Sequence, residues 1–483
     1  MWKSLRTILA ILCLTGCLLL FCDRSEDSWL AQSLSWLADV QLMPALLAGS
    51  FALVGGIVVL TLLLGRVYCS LICPLGILQD VLASLRRTRR YAWRPGHPLL
   101  RLAMLVVFAL GFALGIPLVS GLLEPYSAFG RMAACLGEPL SVLAHNGLAW
   151  LAQKFDSLAL APQPLVFHGW AALLAAVITL AVIAVMAMKQ GRTWCNLVCP
   201  VGTILGLLAR HALLRPRLDA AKCQHCGRCA AVCKASCIDP AKAAVDASRC
   251  VACWNCTDIC GHDALHFLPQ KTLPQKDANG RRTALVGLLG LLACPASGVL
   301  AAHHGEERDI PALRHKQRRP HPEPILPPGA KGQGHFSSHC TGCQLCVSVC
   351  PHNVLHSQDR GLGLLQPSMS FEYGYCHRNC VACGAVCPTG AITPLSRKEK
   401  SSIQVGRASV RPESCVVNTD KVPCTACQRV CPVNAISLVG QGERKQPVVD
   451  ADKCLGCGAC EYICPARPWA AITIEGRVEH RHI

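Results

Sequence analysis

Six times in 483 residues this chain sets four cysteines in a ladder whose last three read C-x-x-C-x-x-x-C, and no other feature so restricts its fold. Four ladders keep the full C-x-x-C-x-x-C-x-x-x-C spacing: Cys223, Cys226, Cys229, Cys233; Cys250, Cys253, Cys256, Cys260; Cys340, Cys343, Cys346, Cys350; and Cys454, Cys457, Cys460, Cys464. Two have only their first gap widened: Cys376, Cys380, Cys383, Cys387 and Cys415, Cys424, Cys427, Cys431. This spacing wraps thiolates around a 4Fe–4S cube, three close cysteines taking three corners and the fourth reaching across to the partner cube. Crossing gives Cys223, Cys226 and Cys229 with Cys260, and Cys250, Cys253 and Cys256 with Cys233. It likewise gives Cys340, Cys343 and Cys346 with Cys387, and Cys376, Cys380 and Cys383 with Cys350. The last two sets are Cys415, Cys424 and Cys427 with Cys464, and Cys454, Cys457 and Cys460 with Cys431. Six clusters and 24 ligands are expected. Structural zinc explains a single C-x-x-C pair, not six ladders.

The last cysteine of each C-terminal ladder precedes a proline (Pro351, Pro388, Pro432, Pro465), whereas Lys234 and Gly261 follow Cys233 and Cys260. Cys237 is therefore a rival to Cys233 as ligand. Thiolate ligands require loading in a reducing compartment.

The chain as a whole is too apolar for an ordinary soluble protein, with 52% hydrophobic and 16% charged residues. Its formal charge of +18 carries no basic stripe interleaved with aromatics. Many arginines flank apolar runs, so the basicity reads as a topology signal and nucleic acid is excluded as a partner. Apolar runs at Thr7–Cys22, Pro44–Leu64, Leu102–Leu123 and Gly169–Met188 predict four membrane helices. Leu14–Cys17 also has the look of a lipobox, with Cys17 the residue to be lipidated. Lys3, Arg6, Arg86, Arg87, Arg89, Arg90, Arg94, Lys189 and Arg192 place both ends of the bundle inside. Arg281 and Arg282 then precede an uncharged run, Thr283–Ala302, which is either a fifth span or a helix packed on the ladders. The predicted organisation is a helical membrane domain over 1–215, a cytoplasmic two-cluster module over 216–270 and the twin-arginine and fifth-span segment over 271–302. A linker over 303–335 and a four-cluster domain over 336–483 follow. The fold class is an α-helical membrane domain of four to five spans with α+β ferredoxin-like 4Fe–4S domains.

The membrane part repeats itself. GRVYCSLICPLG (Gly65–Gly76) and GRTWCNLVCPVG (Gly191–Gly202) share seven of twelve residues. Cys69, Cys73, Cys195 and Cys199 are thus candidates for a further metal or redox centre, with helix-end packing as the plainer explanation. Cys13, Cys17, Cys22, Cys135 and Cys294 read as apolar packing. No G-x-G-x-x-G fingerprint, P-loop, H-E-x-x-H or C-x-x-C-H motif appears, so electron relay is expected rather than substrate chemistry.

GRVYCSLICPLG, the segment LLEPYSAFGRM and the double ladder after them resemble the NapH family of quinol-dehydrogenase membrane subunits. Arg281-Arg282, Pro327–Ala330 and four ladders resemble the NapG family of four-cluster ferredoxins, so nearly the whole chain looks like a fusion of the two. The resemblance implies a bacterial inner-membrane protein that takes electrons from the quinone pool or a cytoplasmic donor and delivers them to a periplasmic or membrane reductase. It implies a periplasmic C-terminal domain and makes the chain a candidate component of a quinol dehydrogenase. Glu124, Arg131, His145 and His168 are the candidates for accepting a quinol proton. The CcoG/RdxA oxidase-assembly family shares the twin C-x-x-x-C-P motifs without the four extra clusters, and a NosR-like maturation donor lacks its flavin domain here.

Overall fold

The structure, a computed structural model, describes residues 2–24, 29–86, 91–156, 160–268, 323–361, 363–440 and 444–483. Arg281, Arg282, the run Thr283–Ala302, Cys294 and most of the linker lie outside the described residues.

The helical unit is built from two copies of one motif. A long helix is followed by a one-turn helix carrying the first cysteine, then by a helix that starts at the proline after the second. In the first copy these are Phe51–Leu64, Tyr68–Leu71 and Pro74–Ser84; in the second, Trp170–Gln190, Thr193–Leu197 and Pro200–Ala209. Cys73 and Cys199 are extended N-cap residues, and Pro74 and Pro200 take the first helical position, where a missing N–H costs nothing. The copies are exchanged in packing. Helix Trp170–Gln190 lies on Pro74–Ser84, and Pro200–Ala209 lies on Phe51–Leu64. At Gly76 and Gly202 a Cβ would run into the carbonyl of Cys69 and of Cys195 respectively, which explains why both copies end in glycine.

Two of the four expected spans are single helices, Trp2–Leu20 and Trp170–Gln190, and these are the two long and apolar enough to cross a membrane among the described residues. The other two are broken. Pro44–Leu64 divides at Gly49, which takes a left-handed φ of +71°, into Leu42–Leu47 and Phe51–Leu64. Leu102–Leu123 divides before Pro117, where Ile116 is extended, into Pro98–Ala113 and Pro117–Leu123. Uncharged length marked these segments as apolar and concealed their breaks. Cys17 is fully buried within Trp2–Leu20, so the lipobox lookalike is part of a packed helix.

The segment expected to form the two-cluster module is closed by antiparallel strands Arg215–Leu218 and Leu265–Leu268, with a smaller hairpin of Ile238–Asp239 and Ala244–Val245. The C-terminal unit contains three antiparallel pairs: Leu355–Ser357 with Pro367–Met369, Ile403–Val410 with Ile472–His482, and Ile436–Val439 with Gln446–Val449. It begins earlier than residue 336. Ile325 accepts from Met369 N–H at 2.7 Å, Gly329 accepts from Thr393 N–H at 3.0 Å, and Ile325, Leu326 and Ala330 are buried.

The modules occupy opposite ends of the helical unit. Lys3, at the start of the first long helix, pairs with Asp258 of the two-cluster module, and Phe21, just beyond its end, meets Gly130 beside Cys343. Helix Trp170–Gln190 runs the other way. Gly169 lies against Ser357 and Asp359, while Gly191 lies against Lys234. At about 1.5 Å per residue, helices of 19 and 21 residues separate the two modules by roughly 30 Å. One continuous core joins all three parts, from Cys233 and Cys256 through Cys73 and Tyr126 to Leu345 and Val386.

Candidate functional site

Each ladder folds by turning the backbone left-handed at fixed offsets from its cysteines. In the four regular ladders the second residue after the first cysteine has positive φ: His225, Ala252, Gly342 and Gly456. The residue after the second cysteine does the same: Gly227, Trp254, Gln344 and Gly458. Three residues past the last cysteine, Ser236, Asp263, Asn353, Gly390 and Asn434 repeat the turn in five ladders. Most are not glycine, and left-handed backbone is uncommon for such residues, so the loops are held open for a purpose. The turns aim backbone N–H groups at sulfur. Ala264 donates to Cys260, Val354 to Cys350 and Ile392 to Cys387 at 3.4 Å, Ala435 to Cys431 at 3.2 Å, and Ala471 to Cys464 at 3.3 Å. His225 and Ala252 do so for Cys223 and Cys250 at 3.4 Å. Such donors stabilise thiolates and set cluster potentials.

The cysteines of five of the six expected sets converge crossed. One cavity is lined by Cys376, Cys380 and Cys383 together with Cys350, and another by Cys250, Cys253 and Cys256 together with Cys233 and Cys237. Cys387 lies within electrostatic reach of Cys340, Cys343 and Cys346, Cys464 of Cys415 and Cys427, and Cys431 of Cys454 and Cys457. Cys233 keeps the ladder turn at Ser236, and the N–H of Cys237 points at its sulfur. Cys237 thus stands where Ala264, Val354 and Ala435 stand in other ladders, with its own sulfur 3.5 Å from that of Cys233. Burial pushes the Cys253 thiol up to about 11 and the Cys457 thiol up to about 12. At neutral pH these groups become thiolates only where a metal supplies the compensating charge. Among the described residues no three His, Cys, Asp or Glu side chains gather as a single ion requires; a cube, by contrast, spreads its thiolates over separate corners. The donor set and its N–H partners fit 4Fe–4S clusters, which supply one-electron transfer.

The four cysteines of the repeated motif are each 4% exposed or less. Their arginines are exchanged across the pair: Arg66 donates to the Cys195 carbonyl at 3.1 Å, and Arg192 to the Cys69 carbonyl. Asp80 gathers Arg192 at 2.7 Å, Lys234 at 3.0 Å and Arg6 at 3.8 Å. Lys234, standing where the four C-terminal ladders have proline, therefore fastens its ladder to the helical unit beside the buried thiols. Its carbonyl also accepts from Arg192 N–H at 2.8 Å.

The four residues suggested as proton acceptors separate. Glu124 and Arg131 are buried together, the carboxylate capping Ser127 N–H and the guanidinium donating to the Gly121 carbonyl. Thr341 and Cys343 press on Gly121 and Gly130 beside them. His168 belongs to a second group, 3.1 Å from Glu138, which also pairs with Arg24. Neither Glu138 nor Arg24 was evident from sequence, because each sits in a polar stretch without pattern. His145 lies apart, bonded to the Ala161 carbonyl at 3.0 Å.

The sequence matches the family described as "4Fe-4S binding domain" over residues 46–91 and 171–219, and "4Fe-4S dicluster domain" over 339–391 and 422–467. It is 33% identical over 152 residues to ferredoxin-type protein NapF of Escherichia coli K12, a match covering 31% of this chain and 84% of NapF. It is 37% identical over 152 residues to methylamine utilization ferredoxin-type protein MauM of Methylophilus methylotrophus, covering 29% of this chain and 66% of MauM. With ferredoxin-type protein NapG of Escherichia coli K12 it shares 31% identity over 158 residues, 29% of this chain and 65% of NapG. No solved structure matches. With its cysteine ladders crossed as two-cluster ferredoxins require and its sequence aligned over most of NapF, the chain belongs to the NapF, NapG and MauM family of ferredoxin-type 4Fe–4S electron-transfer proteins.

Proposed function

We propose that this protein is a membrane-embedded electron relay. It carries electrons from the quinol pool or a cytoplasmic donor, through six 4Fe–4S clusters held by the 24 ladder cysteines, to a reductase on the far side. The observation that carries this reading is the seating of the two ferredoxin modules at opposite ends of one helical unit, roughly 30 Å apart, the thickness of a bilayer core. Between them the helices turn large apolar side chains outward, among them Leu12, Val59, Val106, Leu110, Leu174, Ile178 and Val185. Such a belt suits lipid. Lys3, Arg86, Arg94 and Lys189 lie at the two-cluster end, which makes that end cytoplasmic and the C-terminal unit periplasmic.

The four C-terminal clusters form a line. The Cys340 set abuts the helical unit through Cys343. Cys383 of the next set lies near Cys346, Cys376 N–H donates to the Cys457 carbonyl at 2.9 Å, and Cys460 lies near Cys427. Within the C-terminal unit electrons therefore enter at the Cys340 set and leave at the Cys415 set. The buried Glu124–Arg131 and Glu138–His168 groups supply proton acceptors at the entry end for a quinol. A reporter enzyme fused after Ile483 tests the arrangement. Activity only in the periplasm is expected, and cytoplasmic activity refutes it. Membranes supplied with a menaquinol analogue should reduce the clusters, and failure to do so removes the quinol as donor.

A further inference from the structure

The two ends of the C-terminal line of clusters differ in exposure. In the ladder of Cys340, Cys343, Cys346 and Cys350, every residue between the cysteines is buried. In the ladder of Cys415, Cys424, Cys427 and Cys431 the matching surface lies open: residues 418–423, Thr425, Gln428 and Arg429 are exposed. Large apolar side chains stand on that surface. Val422 is 52% exposed, Ile463, beside Cys464, 45%, and Trp469 43%. Arg411, Lys421, Arg429 and Arg467 are exposed around the same four ligands and, among the described residues, form no ion pair. Arg467 donates to the Cys464 carbonyl at 2.8 Å. Arg411 N–H donates to the carbonyl of Ala471, whose own N–H donates to the Cys464 sulfur. Two exposed carboxylates, Glu413 and Asp420, stand among these four cations, so the face keeps a net positive charge.

We propose that this face docks the electron acceptor, a one-electron carrier protein that presents acidic side chains around an apolar patch over its own redox centre. The inference rests on the relay reading, in which electrons leave the C-terminal unit at the Cys415 set. Protein interfaces put apolar and aromatic anchors at the centre and charges at the rim. Val422, Ile463 and Trp469 supply the first, and the four unpaired cations the second. The docking residues ride on the segments that carry the ligands. Lys421 and Val422 lie in the widened gap between Cys415 and Cys424, Arg429 ends the short helix Ala426–Arg429 of Cys427, and Ile463 ends helix Ala459–Ile463 beside Cys464. A protein seated there comes against the cluster loops themselves. The widened gap turns the chain left-handed at Lys421, with φ of +58°, and so gives this ladder a surface loop that the regular ladders lack. A second copy of this chain would bring the same net positive charge, which like-charge repulsion disfavours. The bilayer is excluded by position, because the face lies at the far end of the line from Cys343, where the unit meets the helices. The transfer moves one electron: the reduced cluster loses it, the acceptor's centre gains it, and no bond or proton is exchanged.

The test uses the full chain in detergent, its clusters reduced with dithionite and the excess removed. It is mixed by stopped flow with oxidised cytochrome b5, an acidic haem protein, or with cytochrome c, a basic one, and haem absorbance reads the rate. Raising salt from about 20 to about 200 mM shortens the screening length from roughly 20 to roughly 7 Å. Transfer to cytochrome b5 should slow by about tenfold, while transfer to cytochrome c stays equal or quickens. The double variant Lys421→Glu/Arg429→Glu should slow cytochrome b5 reduction at low salt by about tenfold and lose the salt dependence, with the ladder EPR spectra unchanged. The milder Lys421→Gln, which only removes one exposed charge, should slow it by about twofold. Arg360→Glu, an equally exposed reversal beside the Asp359–Gly169 contact at the entry side, should leave it at the wild-type rate. A wild-type rate in both Lys421 variants, or an equal loss in Arg360→Glu, overturns the proposal. Dithionite supplies the electrons, so a failed quinol donor or topology leaves these rates intact.

Discussion

Gly130 is where the C-terminal unit bears on the helical unit, and adding one methyl group there tests the two-ended arrangement. A Cβ on Gly130 would overlap the Cys343 carbonyl, 3.2 Å from that residue's carbonyl carbon and 3.1 Å from the Phe21 ring. The obstacle is backbone rather than a side-chain end, so no rotamer change relieves it and the ladder loop must lift. Overpacking of this kind costs about 1–3 kcal/mol. That shifts the balance between seated and lifted ladder by roughly 5–150-fold. Hydrogen exchange reads it directly. Amides of Leu345–Val349 in the Gly130→Ala variant should exchange faster by about that factor, while the hairpin Ile436–Val439 with Gln446–Val449 keeps its wild-type rates. Gly147 on the same unit has open space around its Cα, so Gly147→Ala is the control and should change nothing. Wild-type exchange at 345–349 in Gly130→Ala would refute the contact and the seating of the Cys340 set as electron entry.

Other consequences are as direct. Lys400 is buried beside Cys376, Cys380 and Cys383, its ammonium donating to the His377 carbonyl at 2.7 Å and to that of Cys380. Lys400→Met should lower the potential of that cluster by roughly 60 mV, the one-electron equivalent of about 1.4 kcal/mol, measured by redox titration followed by EPR. Replacing Asp80 with leucine leaves buried Arg192 unpaired and should cost about 3–5 kcal/mol in thermal or denaturant unfolding. Lys234→Met removes a partly exposed partner and should cost about 1 kcal/mol or less. Burial pulls His480 down to about 4 from its usual 6.5. The unfolded chain therefore binds the proton first. Stability is full above about pH 6.5 and falls as pH drops toward 4, by at most about 3 kcal/mol and by less because the residue is only partly buried. His480→Leu should remove this acid sensitivity in unfolding curves taken between pH 7 and 4.

The ladders were legible because iron–sulfur ligation is a spacing rule: the turns at Ala252, Gln344 and Gly458 follow locally from where the cysteines fall. The repeated motif was legible for the same reason, since Gly76 and Gly202 are required wherever the chain returns so close to its own carbonyl. The spans were read less well. Uninterrupted apolar length conceals a left-handed turn at Gly49 and the extended residue before Pro117, neither of which changes hydrophobicity. The polar candidates fared similarly. His168 was found in a sparse outer segment, but its partners Glu138 and Arg24 are 30 and 144 residues away, and no local pattern joins them.

Chemistry was therefore settled by the amino-acid sequence alone: thiolates in ladders, the clusters they hold, and a helical unit with a duplicated cysteine motif. These depend on interactions between residues a few positions apart. Position was decided by the tertiary structure, because contacts such as Lys234 with Asp80, Arg66 with Cys195 and Gly130 with Cys343 join residues more than a hundred positions apart. A lysine where a proline was expected looked like a flaw in one ladder. Folded, it is the clamp that holds that ladder against the buried thiols.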